Sequence, residues 1–442
     1  MRRIIAAAAG LLGLVAVLLQ PVPAATAAGV DGSIVFIRNH QVWISDGTGA
    51  HARRLTTQGT AAKPFRYPSE SDNGVIVAAL GNGFVVLDRV GHVLHSYAQP
   101  LVATGVLEYA SISPDGSKVA FTVLAMRNIC DPYCGFESVH AMYYLKTSTG
   151  KLLDYHSGAD VNTGSWVTNS RMVLGGTVTK VYYQDPAGAD EKLWYQDCDD
   201  VLANCSQSVE SNYWNVFPTV NRAGNRYASV VVDEAYGSDT TDRDTFLNVM
   251  DTGSFTSGRP PVTPTNRCSL SGSVTSSSDG FPGISQATIQ TPSWGPNGRS
   301  LVASFRSDAG RWQVWRIDTG ADVTNCGAYD GDAILDNATQ PRWSRAPLGP
   351  SKVATTTSLR VSKHKVKRHH RITLTAHVRP TLATGKVTFR NGKKRLKRVT
   401  LRHGTAKVKV RLSRGKHHLR AVYGGDTRDG GSRSRSVTVR VR

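Results

Sequence analysis

Beyond Pro350 the sequence has almost no acid: Asp426 and Asp429 are its only side-chain carboxylates there, against 27 Lys and Arg, and tryptophan is absent from the same stretch. The preceding 350 residues carry 26 basic and 31 acidic side chains, so the formal net charge of +20 divides into a body at −5 and a tail at +25. Apart from one segment near the start, no run of about twenty apolar residues occurs, which excludes a polytopic helical membrane protein. With only 19% charged residues and 42 Gly in 442 positions, turn-rich β structure is favoured over a coiled coil or disorder. That length suggests two or three domains. Catalytic signatures are missing too. There is no Gly-x-Ser-x-Gly elbow, no His-Glu-x-x-His pair and no phosphate-cradling loop. Three acidic groups, Asp197/Asp199/Asp200, Asp239/Asp242/Asp244 and Asp330/Asp332/Asp336, lack the Gly and distal Glu of a calcium loop and read as solvated connections. No metal and no cofactor is expected.

The one apolar segment is an address. Arg2 and Arg3 precede an apolar run from Ile4 to Leu19, and Ala25-Thr26-Ala27 supplies small residues for cleavage, so residues 1–27 read as a secretory signal cut near Ala27. No transmembrane span and no lipid anchor are expected, since the run is short and no Cys follows it. All six cysteines lie between the signal and Pro350, an even number that implies oxidised pairs in an exported protein. Sequence leaves the connectivity open. Cys130–Cys134 and Cys198–Cys205 are favoured because each pair sits in a short polar insertion, with Cys268–Cys326 left by elimination. A zinc site is disfavoured because Cys-x3-Cys has no matching His pair.

One unit recurs through the acidic body. Its fullest copy is Ser111-Ile112-Ser113-Pro114-Asp115-Gly116-Ser117-Lys118-Val119-Ala120-Phe121: a strand, a turn demanded by Pro-Asp-Gly, and a second strand. Thr291 to Phe305 repeats it, and Phe217 to Ala228 and Tyr67 to Val77 are weaker copies. A third strand follows, as in Trp312 to Asp318, then a Gly-bearing turn and a fourth strand such as Ala52 to Thr56. Four short antiparallel strands per repeat is the signature of a β-propeller blade. Six units begin near Ser33, Phe65, Ser111, Trp166, Phe217 and Pro292. The first opens on what corresponds to a second strand, Ile34-Val35-Phe36, whereas Gln340-Pro341-Arg342-Trp343-Ser344 is a first strand with nothing after it. Pairing the two closes the ring and hides both open edges. Ser-Pro-Asp-Gly followed by Val-Ala-Phe, together with Arg53-Arg54-Leu55-Thr56, resembles the TolB-type propeller repeat over about Ser33 to Arg345. The resemblance implies a binding platform or a domain attached to assorted enzymes, and a fold does not name its site.

Trp43, Trp294, Trp315 and Trp343 fall at what read as equivalent strand positions and are expected to pack between blades. Insertions at Asn128 to Glu137, Asp233 to Asp244 and Gly253 to Gln290 break the repeat and are expected to form binding loops. Connections between second and third strands place Arg38, His40, Arg127, Arg306 and Asp308 at a candidate rim.

Prolines in Ala346-Pro347-Leu348-Gly349-Pro350 end the repeat, giving a propeller over 30–345, a linker over 346–352 and a basic domain over 353–442. In that domain Ile372, Leu374, Ala376 and Val378 alternate with polar residues, as do Val387 and Phe389, then Ala406, Val408, Val410 and Leu412, then Leu419, Ala421 and Tyr423. Seven or so strands with this patterning point to an immunoglobulin-like sandwich. Thr355 to Leu359, Thr384 to Phe389, Gly404-Thr405-Ala406 and Ala421-Val422-Tyr423-Gly424-Gly425-Asp426 resemble the bacterial Ig-like repeat of surface and secreted proteins. Outward positions hold cations instead of the usual Thr, Ser or Asn. The candidate polyanion-binding residues are Lys363, Lys365, Lys367, Arg368, Lys393, Lys394, Arg395, Lys397, Arg398, Lys407, Lys409, Arg411, Lys416 and Arg420. Seven of the thirteen His also lie here, and exposed ones add charge in mild acid.

The fold class expected is all-β, a six-bladed propeller followed by an Ig-like sandwich. The functional expectation is a secreted, non-enzymatic binding or scaffold protein. Its propeller presents a surface to a protein or glycan, and its basic domain attaches to an anionic cell-wall polymer or polysaccharide. Sequence-specific nucleic-acid binding is not expected, since no aromatics interleave with the cations. The alternative is an extracellular carbohydrate-active hydrolase or lyase with carboxylates in the propeller funnel.

Overall fold

The computed structural model describes residues 32–98, 105–130, 134–157, 161–176, 180–184, 192–196, 213–233, 242–252, 265–275, 289–306, 310–323 and 325–442. The signal segment, Cys198, Cys205 and Asp308 lie outside them. Within them the chain is all-β, with one short 3-10 turn at Cys326–Ala328.

Up to Ser344 the strands fall into sets of four antiparallel neighbours. The first strands of these sets are Phe65–Glu70, Val106–Ile112, Val161–Trp166, Tyr213–Val220, Ile289–Trp294 and Thr339–Ser344. The last of them pairs with Ser33–Arg38 from the other end of the body, with Ser33 opposite Ser344 and Ile34 opposite Trp343, as the orphan-strand argument requires. The sets led by Val161–Trp166 and Tyr213–Val220 join at Gly176 and Asn215 into one eight-stranded sheet.

Local chemistry explains the hairpins. Ser113 Oγ donates to Asp115 Oδ1 at 2.7 Å and accepts the Lys118 N–H at 3.0 Å, while Gly116 takes φ +73°. Ser-Pro-Asp-Gly is thus a turn whose side chains hold it closed. Successive first strands lie side by side. Hydroxyls on one satisfy backbone groups of the next: Ser69 Oγ accepts from Ile112 N–H at 3.1 Å, Thr163 Oγ1 from Phe217 at 2.8 Å and Ser293 Oγ from Trp343 at 3.0 Å. Each of four first strands also carries a residue at positive φ before a proline, namely Tyr67, Phe217, Thr291 and Gln340, beside an irregularity of register in the pairing. Proline lacks the N–H that a regular ladder needs, so a bulge at this place is the natural accommodation.

The tryptophans divide into two classes, which corrects the single equivalence expected. Trp166 and Trp294 end first strands and Trp343 is the last but one residue of another, and all three are buried. Trp166 Nε1 donates to Ser111 O at 3.2 Å and Trp294 Nε1 to Thr219 O at 3.4 Å, so these indoles latch neighbouring sets. Trp43 and Trp315 sit in third strands, half-buried, where Trp43 stacks on Phe36 and Trp315 meets Phe305 edge-on. The insertion at Asn128 to Glu137 is also not a free loop in its described part: it prolongs the antiparallel pair Lys118–Cys130 and Cys134–Lys146, whose register sets Cys130 opposite Cys134. Asp242 to Asp244 similarly opens the strand Asp242–Asp251, and Thr265–Thr275 within the third insertion pairs with it. The extra residues extend the sheet ladder because antiparallel pairing satisfies their backbone. Cys268 and Cys326 form a disulfide, with Cα atoms 5.4 Å apart across 58 residues of sequence.

The C-terminal residues form two sheets. One holds Thr356–Val361, Arg371–Arg379 and Thr405–Arg411; the other holds Lys365–Val366, Val437–Val441, Gly415–Tyr423, Lys386–Asn391 and Lys394–Thr400, with Ser432–Arg433 at its side. Strand Arg371–Arg379 alternates buried and accessible residues over its length, and its inward set meets Phe389, Leu419, Ala421 and Tyr423 in a core drawn entirely from this domain. The linker is strapped down. Arg53 Nη2 donates to Gly349 O at 3.1 Å, Arg89 donates to Pro347 O, and Ser33 Oγ lies 2.7 Å from the buried Ala346 O.

Candidate functional site

All fourteen candidate cations of the sandwich are exposed. Strand pairing arranges several in rows. On the larger sheet Arg395, Arg390 and Arg420 are directly opposed across three strands, and Lys365, Arg440 and Lys416 form a second such row. On the smaller sheet Arg371 opposes Arg411, and Lys407 and Lys409 oppose Thr375 and Thr373. Like charges facing one another across a ladder are unfavourable, and strands stand only about 4.8 Å apart. No Lys or Arg of the domain forms an ion pair with a carboxylate among the described residues. Both acids of the domain are otherwise engaged. Asp426 accepts the N–H groups of Thr384, Arg428 and Asp429 and the Thr384 hydroxyl, which hold its carboxyl down to about 2 despite burial. The histidines are not uniformly available: His417 is buried, its ring bonded to Ser413 O at 2.7 Å and Asn391 at 2.8 Å, whereas His364, His369, His370, His403 and His418 are exposed.

Asp429, the second acid, is fully buried against the acidic body. His92 lies between two carboxylates, with Nδ1 2.8 Å from Asp88 Oδ2 and Nε2 2.9 Å from Asp429 Oδ2. Arg428 Nη2 donates to Leu55 O at 3.2 Å beside it. The domains are therefore clasped through one buried imidazole, and the cations point elsewhere.

The described rim candidates are distributed over three sets of strands. Arg38 ends the strand Ser33–Arg38, and its guanidinium lies over the rings of Phe36 and Trp43 at 5.1 and 5.3 Å. Burial lowers its pKa and Asp336 opposes that shift. His40 is exposed in the following turn, and its carbonyl accepts from Phe65 N–H at 3.1 Å. Arg306 is exposed at the end of Ser300–Arg306, and Arg127 occupies a strand position opposite Glu137. No hydrogen bond or ion pair joins Arg38, His40 and Arg306 to one another among the described residues.

A cavity of about 70 Å³ that sequence reading missed lies among the six first strands. Each contributes the residue after its proline or equivalent: Ser69, Ser111, Ser165, Thr219, Ser293 and, in the sixth, Arg342. Five hydroxyls and one cation thus occupy a repeated position. Aligning the Pro-Ser, Pro-Thr and Pro-Arg pairs of the repeats is the signal that would have found it. Glu70 also lines the cavity; its Oε2 accepts from Ser33 at 2.6 Å and Ser344 at 2.8 Å, and burial raises its pKa to about 7.

No curated protein matches the chain. Among solved structures, TolB from Acinetobacter baumannii aligns at 17% identity with a TM-score of 0.42, covering 71% of this chain and 66% of that one, just under two thirds of its length. A protein of unknown function from Bacteroides caccae aligns at 11% identity and a TM-score of 0.38, over 65% of this chain and 90% of its own. Residues 356–442 match the bacterial Ig-like domain (group 3). Residues 356–442 are thus similar to the bacterial Ig-like domain (group 3), and a strapped linker joins them to an all-β body.

Proposed function

We propose that this is an exported, non-enzymatic binding or scaffold protein. Its signal is residues 1–27, its body is a closed six-bladed propeller offering a protein- or glycan-binding surface, and its Ig-like domain attaches electrostatically to an anionic envelope polymer. The observation that carries the reading is the pair of unneutralised cation rows on the sandwich: a sheet that opposes arginine to arginine tolerates repulsion which a polyanion relieves. Engagement of Asp426 and Asp429 elsewhere adds support, since no internal acid competes with the polymer. Attachment of this kind weakens as salt shortens the reach of charge to roughly 8–10 Å and below. The test is retention of the full chain on immobilised wall polymer through a salt gradient, compared with a chain carrying Arg390→Gln, Arg395→Gln and Arg420→Gln. Earlier elution of the variant is expected. Equal elution of both, or retention of wild type that ignores salt, refutes the reading.

A further inference from the structure

Arg342 is an anomaly among the six residues at its repeated position. Five are small hydroxyl residues, of which Ser69, Ser165, Thr219 and Ser293 bond to the neighbouring first strand, whereas Arg342 puts a guanidinium among the first strands at 8% exposure. Its partners are neutral. It donates to the Tyr109 hydroxyl and to Pro292 O at 3.3 Å, and its charge lies 5.3 Å from the Tyr109 ring centre. A guanidinium has five N–H groups. Two are thus used, and no carboxylate pairs with Arg342 among the described residues.

Of the nearby acids, Asp72 Oδ1 is held by Arg222 at 3.1 Å, and Glu70 takes the Ser33 and Ser344 hydroxyls on Oε2 while its buried Oε1 has no partner. Arg222 itself lines the cavity, with its guanidinium bonded to Val167 O and Asp72. Two hydroxyls there are also half-used: Ser69 Oγ and Ser293 Oγ each accept a backbone N–H, which leaves an O–H proton to donate. A cavity of about 70 Å³ has room for a few waters or one small ion, since a single water needs roughly 10–15 Å³ of such space.

The geometry points to a site for one small oxyanion, of the phosphate, sulfate or carboxylate type, held by the free edge of Arg342 with hydroxyl donors around it. A planar fork of N–H donors matches two oxygens of such an ion, and a buried cation without a counter-charge is the environment that gains most from one. This site is separate from the sandwich, where charge is spread over an open surface and suits a polymer.

The experiment uses the full chain and inorganic phosphate, sulfate and acetate at constant ionic strength, with binding read by calorimetry and by the shift in unfolding midpoint. Saturable binding of at least one ion is expected, and comparison of the three identifies whether a tetrahedral ion or a carboxylate fits. Arg342→Gln is expected to weaken it roughly tenfold to a hundredfold, the loss typical of a charge-assisted bond. Arg360→Gln, on the sandwich surface and outside the candidate polyanion-binding residues, is expected to leave it unchanged. If Arg342→Gln does not fold, Arg342→Lys serves, because it keeps the charge and loses the fork. Absence of saturable binding by wild type overturns the proposal, as does wild-type affinity in the Arg342 variant, or a loss that follows the surface variant instead.

Discussion

Removing the clasp between the domains is the most direct perturbation this structure offers. In His92→Ala, Asp429 stays at zero exposure and loses the imidazole 2.9 Å away, while its Oδ1 has no partner to begin with. Asp88, by contrast, is partly open to water and is rehydrated. Breaking a buried pair by deleting one partner costs about 3–5 kcal/mol because a buried charge is left uncompensated. The lower end applies here, since Asp429 can take up a proton instead of staying charged. About 3 kcal/mol is a large share of a typical domain stability of roughly 5–15 kcal/mol. The two domains have separate cores, so the loss falls on their docking. Calorimetry of the full chain is therefore expected to show the sandwich and the body uncoupling into separate transitions, with faster protease cleavage in the 346–352 linker. Burial raises the Asp429 carboxyl above its ordinary 3.8, so the folded chain holds that proton to higher pH than the unfolded chain. From this group alone, stability is greatest below the unfolded value and declines as pH rises through the folded one. Asp429→Asn is expected to remove that component of the pH slope. An unchanged melting profile and linker cleavage rate in His92→Ala refute the clasp.

Other expectations follow from single features. Cys326→Ser opens a 58-residue loop and should cost about 4 kcal/mol by chain entropy, read as a lower denaturation midpoint; a change within error removes the disulfide from the stability argument. Arg390→Thr relieves the Arg395–Arg390–Arg420 row and is expected to stabilise the sandwich by about 0.5 kcal/mol while advancing its elution from anionic polymer, so a destabilised variant contradicts the repulsion assigned to that row. Glu70 has its pKa raised to about 7 by burial, so its contribution is lost as pH rises through that value. Urea midpoints of wild type are expected to fall more than those of Glu70→Gln as pH rises from 4.5 to about 7 and to run parallel above it, and curves parallel throughout count against the shift.

Much of the architecture was legible because its causes are local. Pro-Asp-Gly turns close their own hairpins through side chains two residues away, and strict alternation from Ile372 to Val378 sets the sandwich face regardless of what lies across it. The insertions were misread for the opposite reason. Residues flanking Cys130 and Cys134 look like polar loop by composition, yet their backbone groups find partners in a hairpin whose arms were already paired. Trp43 and Trp294 were grouped by residue type, although a third strand and a first strand give an indole different neighbours.

By itself the sequence determined the segregation of charge, the repeat that fills the body and the orphan strand at its end, since composition and short-range periodicity encode these directly. Only the tertiary structure decided that His92 meets Asp429 across 337 positions, or that Arg342 reaches Tyr109 across 233. Such pairings depend on which strands become neighbours and how far each side chain is withdrawn from water. No local pattern around either residue carries that information, because desolvation and counter-charge are properties of the assembled fold.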